Sequence, residues 1–181
     1  EADFKIKYIG PLSRIQKKTI PKRYDLMIIL SGPEPQRGLL EEKLKKEILR
    51  FDGKIVFIKG IVENDQKKEE IENVTYYNFM NSRQLEQTFN ESETVLCRSG
   101  YTTIMDLAKL EKKAFFIPTP GQYEQEYLAK KLKEEGLVPY NIPEYRITKN
   151  DMLPLNIVTT PKGDASQFYS SLNTSGSTNG A

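Results

Sequence analysis

Apolar residues run along this chain in short blocks, separated by stretches in which charge and helical spacing dominate. Asp25–Leu30 is apolar without alternation, which predicts a parallel strand buried on both faces. A loop, Ser31–Gly38, follows it. Leu39–Arg50 then places Leu39, Leu40, Leu44 and Ile48 or Leu49 on one side and Glu and Lys on the other, which predicts an amphipathic helix. Lys54–Gly60 repeats the strand signal. Val62–Glu70 is charged and predicts an exposed turn, and Asn73–Met80 is rich in strand formers. Ser82 opens a helix with Leu85 and Phe89 one turn apart. Glu93–Cys97 is the next strand. Arg98-Ser99-Gly100 breaks it, and from Thr102 onward Ile104, Leu107, Ala108 and Leu110 fall at helical spacing. Lys112–Pro118 predicts a further strand, stopped at Pro118-Thr119-Pro120-Gly121. A helix from Gln122 to Glu135 follows, with Gly136 as its C-cap. Leu137–Tyr140 predicts a short strand and Thr148–Leu155 a helix that Pro154 interrupts.

Strands alternating with helices imply an α/β fold: a Rossmann-like, doubly wound parallel sheet with helices on both faces. Residues 1–23 read as a linker or flap with solvated lysines and arginines. Residues 24–160 form the domain, and residues 161–181, rich in Ser, Gly and Asn, form a flexible tail. Ligands of such sheets sit outside the carboxyl ends of the strands. Three loops fall there: Ser31–Gly38, Arg98–Thr103 and Pro118–Gln125.

The central loop carries the most chemistry. A strand feeding a helix through Ser99-Gly100 leaves backbone N–H groups and the positive end of the helix dipole facing the turn, a place for a phosphate. Asp106 lies one turn beyond Thr102 and Thr103, where a carboxylate can accept bonds from the two hydroxyls of a ribose. In the first loop, Ser31, Gly32, Gln36, Arg37 and Gly38 either face a phosphate or sugar or form an ordinary strand-to-helix connection. Tyr76, Tyr77 and Phe79 either stack on a base or belong to the sheet face and core.

Composition narrows the classes. A net charge of +2 with interspersed signs gives no support to nucleic-acid binding. The single cysteine excludes an internal disulfide, and the absence of histidine excludes a Ser-His-Asp triad or a histidine base within this chain. No apolar run approaches the ~18 residues of a membrane span. The first residues show neither a signal-peptide pattern nor an initiator Met.

Two motifs together resemble a known family. Cys97-Arg98-Ser99-Gly100 with Thr102, Thr103 and Asp106 is similar to the donor-binding segment of GT-B glycosyltransferases of family 28. Phe116–Gln122 followed by Glu124–Ala129 resembles that family's next motif. Ser31-Gly32 resembles its glycine loop, with Pro33 where a glycine often stands. The likeness covers roughly residues 24–135.

It implies one half of a GT-B fold that binds a UDP-sugar as substrate, with no cofactor and no metal in the chemical step. Ser99 and Gly100 would present N–H groups, and Ser99 its hydroxyl, to the donor diphosphate. Asp106, where the family more often has Glu, would hold the ribose. Gln125 and Glu126 stand where a Gln-Gln pair reads the sugar hydroxyls, next to Gln122. Phe79 and Met80 match the segment whose backbone reads the uracil edge. Arg98 either joins this donor set or ties the turn to a neighbouring strand end.

In that family an N-terminal domain holds the acceptor and the base. The resemblance therefore implies that residues 1–23 link to a missing acceptor domain, with no catalytic residue in this chain and no sugar transfer by this half alone. The alternatives are a donor-binding subunit that meets a separate acceptor subunit, and a UDP-sugar hydrolase or epimerase of the same fold. The implied location is cytoplasmic, with peripheral membrane association through the missing part.

Overall fold

The computed structural model describes residues 13–49 and 51–134. In chain order the elements are β1 (Tyr24–Ile29), α1 (Gln36–Ile48), β2 (Ile55–Ile58), β3 (Lys68–Ile71), β4 (Val74–Tyr77), α2 (Ser82–Glu91), β5 (Ser92–Cys97), α3 (Tyr101–Leu110), β6 (Lys113–Phe116) and α4 (Tyr123–Glu134). The expected strand at 137–140 and helix at 148–155 lie outside the described residues, as do Gly136 and the tail.

The strands form one six-stranded sheet in the order β3-β4-β2-β1-β5-β6, parallel except for β3. β1 is central, pairing with β2 on one side and β5 on the other. The chain fills one half of the sheet and then crosses β1 to build the other. The switch point therefore lies between β1 and β5.

The unbroken apolar run of β1 is explained by this position. Leu26, Ile28 and Leu30 join Ile55, Phe57, Leu96 and Phe115 under α1, through Leu40, Leu44 and Ile48. Met27 faces the other way, with Val56, Val95, Cys97, Ala114 and Phe116, against Phe89 of α2, Ile104 and Leu107 of α3 and Leu128 of α4. Helices thus cover both faces. Removing each such side chain from water contributes about 1.5–3 kcal/mol. Burial also pushes up the pKa of the Cys97 thiol, which is packed as an apolar group.

Three details differ from expectation. The charged turn at 62–70 is exposed, but its end is a strand: β3 pairs antiparallel with β4, from Lys68 opposite Tyr77 to Ile71 opposite Val74. An edge strand in water needs no apolar alternation, so periodicity could not reveal it. α1 begins at Gln36, so Arg37 and Gly38 lie in its first turn. Leu39, expected inside, is 61% exposed, and of the pair Ile48 or Leu49 it is Ile48 that is buried.

The third difference is residues 13–23. They form neither helix nor strand, yet their backbone is docked on the domain. Ile15 is buried in the core, Lys18 N donates to Asn90 Oδ1 at 2.8 Å, and Asn90 Nδ2 donates to the Gln16 carbonyl at 2.9 Å. Arg23 N donates to the Glu91 carbonyl at 2.8 Å. The basic side chains of this strap are exposed, as expected, but they ride on a fixed backbone. No described helix is long and apolar enough to cross a membrane.

Candidate functional site

The three expected loops gather at the carboxyl ends of β1, β5 and β6, around the switch point. Each helix that starts there is built differently.

α3 is open. Its N-cap is Gly100, with extended backbone and no side-chain cap, and no acidic residue lies in its first turn. A Cβ built on Gly100 would meet nothing within 4 Å. Elsewhere the same problem is solved internally: Asn81 and Gln84 close the start of α2 with a reciprocal capping box. An α-helix leaves its first N–H groups without intrahelical partners, so the uncapped end of α3 presents donors and the positive dipole end to the loop cluster. Asp106 lies about 8 Å further along the axis, at 1.5 Å per residue. It is half-buried and shares a helix face with Thr102 and Thr103, four and three residues before it. Among the described residues it has no hydrogen bond or ion pair.

The α4 loop is stitched shut. Gln125 Oε1 accepts from Thr119 N at 2.9 Å, its Nε2 donates to Gln122 Oε1, and Glu126 Oε1 accepts from Gly121 N at 2.8 Å. The side chains expected to read a sugar therefore hold their own turn. Ser99 is fully buried, and its hydroxyl donates to the Gln125 carbonyl at 2.8 Å. That proton ties the central turn to α4 instead of pointing to a diphosphate.

Both arginines of the cluster are engaged by the protein. Arg98 is 4% exposed; its Nη1 donates to the carbonyls of Ile117 and Pro118, at 3.3 and 2.9 Å, and its Nη2 to that of Gln36 at 3.0 Å. It fastens all three loops together, the tying role anticipated as its alternative. Arg37 is 8% exposed and turned to Glu34, Glu41 and the Lys59 carbonyl, with Nη1 at 2.7 Å from Glu41 and 3.0 Å from that carbonyl. Burial works against the Glu41 carboxylate, but Lys45 and Arg37 outweigh it and hold its pKa below the ordinary value. Arg37 thus anchors α1 to the end of β2.

The remaining candidates lie at the same end of the sheet. Ser31 and Gly32 are exposed, and Gly32 takes a φ of +104° that favours glycine. Beside them Gly60, at φ +73°, lets β2 leave the sheet against β1: a Cβ there would lie 2.2 Å from the Leu30 carbonyl. Phe79 and Met80 follow β4 and are half-buried. Phe79 N donates to Asn78 Oδ1 at 3.0 Å, and its carbonyl accepts from Gln66 Nε2 at 2.7 Å. Met80 Sδ receives the Thr88 hydroxyl at 3.4 Å. Tyr76 packs on Phe57 with ring centroids 5.4 Å apart and belongs to the sheet face.

One residue escaped sequence reading. Thr119 is 2% exposed, its hydroxyl has no partner among the described residues, and that oxygen lies 3.7 Å from where a Cβ on Gly32 would stand. Hydroxyls recur across the three loops, at Ser31, Ser99, Thr102 and Thr103 among others, so only the fold could single it out.

A mostly parallel sheet with helices on both faces and an open helix start beside its switch point is a Rossmann-like domain of the GT-B kind. The comparisons are more specific. Residues 36–157 match the glycosyltransferase family 28 C-terminal domain, and the chain belongs to that family. It is 25% identical over 119 residues to the UDP-N-acetylglucosamine--N-acetylmuramyl-(pentapeptide) pyrophosphoryl-undecaprenol N-acetylglucosamine transferase of Sulfurihydrogenibium sp. (strain YO3AOP1), a match covering 65% of this chain and 33% of the relative. The chain therefore spans about a third of that relative's length. No solved structure matches it.

Proposed function

We propose that this domain binds the UDP-sugar donor of an inverting glycosyltransferase. The observation that carries the proposal is α3: an uncapped helix start over Gly100 with a carboxylate, Asp106, that no described residue engages. The donor diphosphate lies against the N–H groups of Gly100 and the first turn of α3. The ribose hydroxyls donate to Asp106, a reach that suits the rise between the two positions. Ser31 and Gly32 border the sugar and phosphates from the β1 side, and Thr119 offers a further hydroxyl where the loops meet. The backbone beyond β4, at Phe79 and Met80, lies where the base would be read.

In this reading the domain stabilises the leaving group. The acceptor oxygen bonds to the anomeric carbon from the face opposite the diphosphate, the bond between that carbon and the phosphate oxygen breaks, and the charge developing on UDP meets preorganised N–H donors and the helix dipole. A base on an acceptor domain or separate subunit takes the acceptor's proton. Family membership and the name of the Sulfurihydrogenibium relative support a sugar–nucleotide donor of this type.

Calorimetric titration with UDP and UDP-sugars tests the reading. Saturable binding is expected, weakened about tenfold or more in Asp106→Ala through the loss of two hydroxyl bonds to a charged acceptor. Absence of saturable binding by the folded chain, or equal affinity in Asp106→Ala, would rule the assignment out.

A further inference from the structure

A second concave surface lies away from the loop cluster. It is a cavity of about 670 Å³ lined by Lys18, Lys22 and Arg23 of the strap, Lys54 just ahead of β2, and Arg83, Gln87 and Glu91 of α2. Residues 83, 87 and 91 fall four apart and form one stripe of the helix. The docked strap and this stripe are the two long walls.

Five cations face one carboxylate here. Two have local explanations. Lys18 pairs with Glu86 at 2.5 Å. Lys22 Nζ donates to the Asn90 carbonyl at 2.7 Å, serving the end of α2, whose own last turn has no basic residue. Arg23 lies over the Tyr24 ring, 5.3 Å from its centroid, whereas Lys54 and Arg83 have no such explanation, and none of the three forms an ion pair among the described residues. Glu91 does not answer them, since its Oε1 accepts from Gln87 at 2.8 Å and no cation among the described residues lies within salt-bridge distance.

Such a concentration of one charge sign repels itself, and solvent disperses it on an open surface more easily than in a concave one. Behind the cavity wall, Lys112 is 6% exposed and donates to the Ser92 carbonyl at 2.5 Å. Burial first, and then its neighbour Lys22, lower its pKa to about 7. Glu93 works in the opposite direction on it.

We propose that this cavity binds a phosphate-bearing anion, held by Arg23, Lys54 and Arg83. Two guanidinium forks and an ammonium match the acceptor geometry of a phosphate ester, and guanidinium binds phosphate oxygens in pairs. The volume falls in the range of small-molecule sites, roughly 300–1,000 Å³, and exceeds what one inorganic ion fills. Arg23 and Lys54 also border an adjoining recess that contains Glu70 and Glu72, which restricts the anion to the α2 side. The same chemistry is offered by a soluble phosphate ester and by the headgroup of an anionic lipid.

Pyrophosphate titrated into the ¹⁵N-labelled chain, followed by amide shifts, tests the site without relying on the donor assignment. Shifts are expected at Lys22, Arg23, Lys54, Arg83 and Gln87, separate from any at residues 98–103. An Arg83→Gln/Lys54→Gln variant, whose remaining spectrum reports an intact fold, should bind at least about fivefold more weakly there. Co-sedimentation with phosphatidylglycerol vesicles, against phosphatidylcholine vesicles, separates the sources. Selective binding that the variant loses points to a headgroup, and pyrophosphate binding without it points to a soluble ester. Shifts confined to the loop cluster, no binding of either probe, or a variant that binds as tightly as the parent overturns the proposal.

Discussion

The domain has two kinds of cation, and they sit in different places. In the loop cluster Arg37 and Arg98 are 8% and 4% exposed, and carboxylates and carbonyls of the protein accept from their terminal Nη groups. Along α2 and the strap, Arg23, Lys54 and Arg83 line a cavity with no ion pair among the described residues. A cation whose donors are satisfied internally builds a site without serving its ligand. One left without an ion pair along a concave, solvent-exposed surface stays open to an anion from solution. The difference teaches which arginines to suspect: in the loop cluster the groups left open to a ligand are backbone N–H groups and Asp106, and only in the second cavity are they basic side chains.

The largest expected effect comes from breaking the internal kind. Arg98→Ala removes the arginine's bonds to three carbonyls, two of them buried, and disconnects three loops. A loss of about 3–4 kcal/mol is expected, a fall of roughly 10–15 °C in Tm. Arg98→Lys separates the roles. Lysine keeps the charge but cannot place a planar fork on three carbonyls, so stability should drop while residual UDP affinity in the folded fraction persists. A fully stable Arg98→Lys that has lost UDP would make Arg98 a ligand residue.

Arg37→Leu comes next, at about 2 kcal/mol, because Glu41 stays buried with Lys45 as its remaining cation. The Arg37→Leu/Glu41→Leu pair should recover most of that loss, since removing both charges also removes their desolvation. The acid profile carries the sign. The Glu41 pKa is lowered in the folded state, so its contribution is present above the ordinary carboxylate pKa and is lost as pH falls through the folded one. Arg37→Leu should move that loss to higher pH in denaturant titrations. An unshifted profile would mean that Lys45 alone holds Glu41.

Much of this was legible in the sequence for a physical reason. Strands buried on both faces must be apolar throughout, so β1, β2 and β5 announce themselves. The open turn before α3 is written in Arg98-Ser99-Gly100, and two motifs in order carried the family, which the match over residues 36–157 confirms. Side-chain direction was not legible. Nothing local says that the Ser99 hydroxyl turns to Gln125, or that Gln125 and Glu126 close on Thr119 and Gly121, because those partners come from other loops. β3 was hidden because solvent on its outer edge tolerates a run of Lys and Glu. The strap was hidden because its anchors are backbone groups reaching Asn90 and Glu91, with Ile15 as its single buried apolar side chain.

Lys112 stands between the two kinds of cation and gives the smallest effect. It is buried like Arg98 and bonds to carbonyls, at 2.5 Å to Ser92 and 3.4 Å to Asn90, yet its charged neighbours are mostly like charges. Lys22 and Lys17 oppose its proton and Glu93 favours it, but burial is the largest influence and the folded pKa falls from 10.5 to about 7. Between those values the unfolded chain holds a proton that the folded chain has released, so this group makes stability rise with pH across that window and contributes no slope below or above it. In Lys112→Met the apolar side chain regains by burial much of what the two carbonyl bonds supplied, so a change within about 1 kcal/mol is expected at pH 7. The informative readout is the difference between parent and variant from pH 7 to 10, in which the other lysines and tyrosines cancel. The parent's stability should gain on the variant's as pH rises. A constant difference would show that Lys112 keeps its proton in the folded chain across that range, held there by Glu93 and its two carbonyls against the effect of burial.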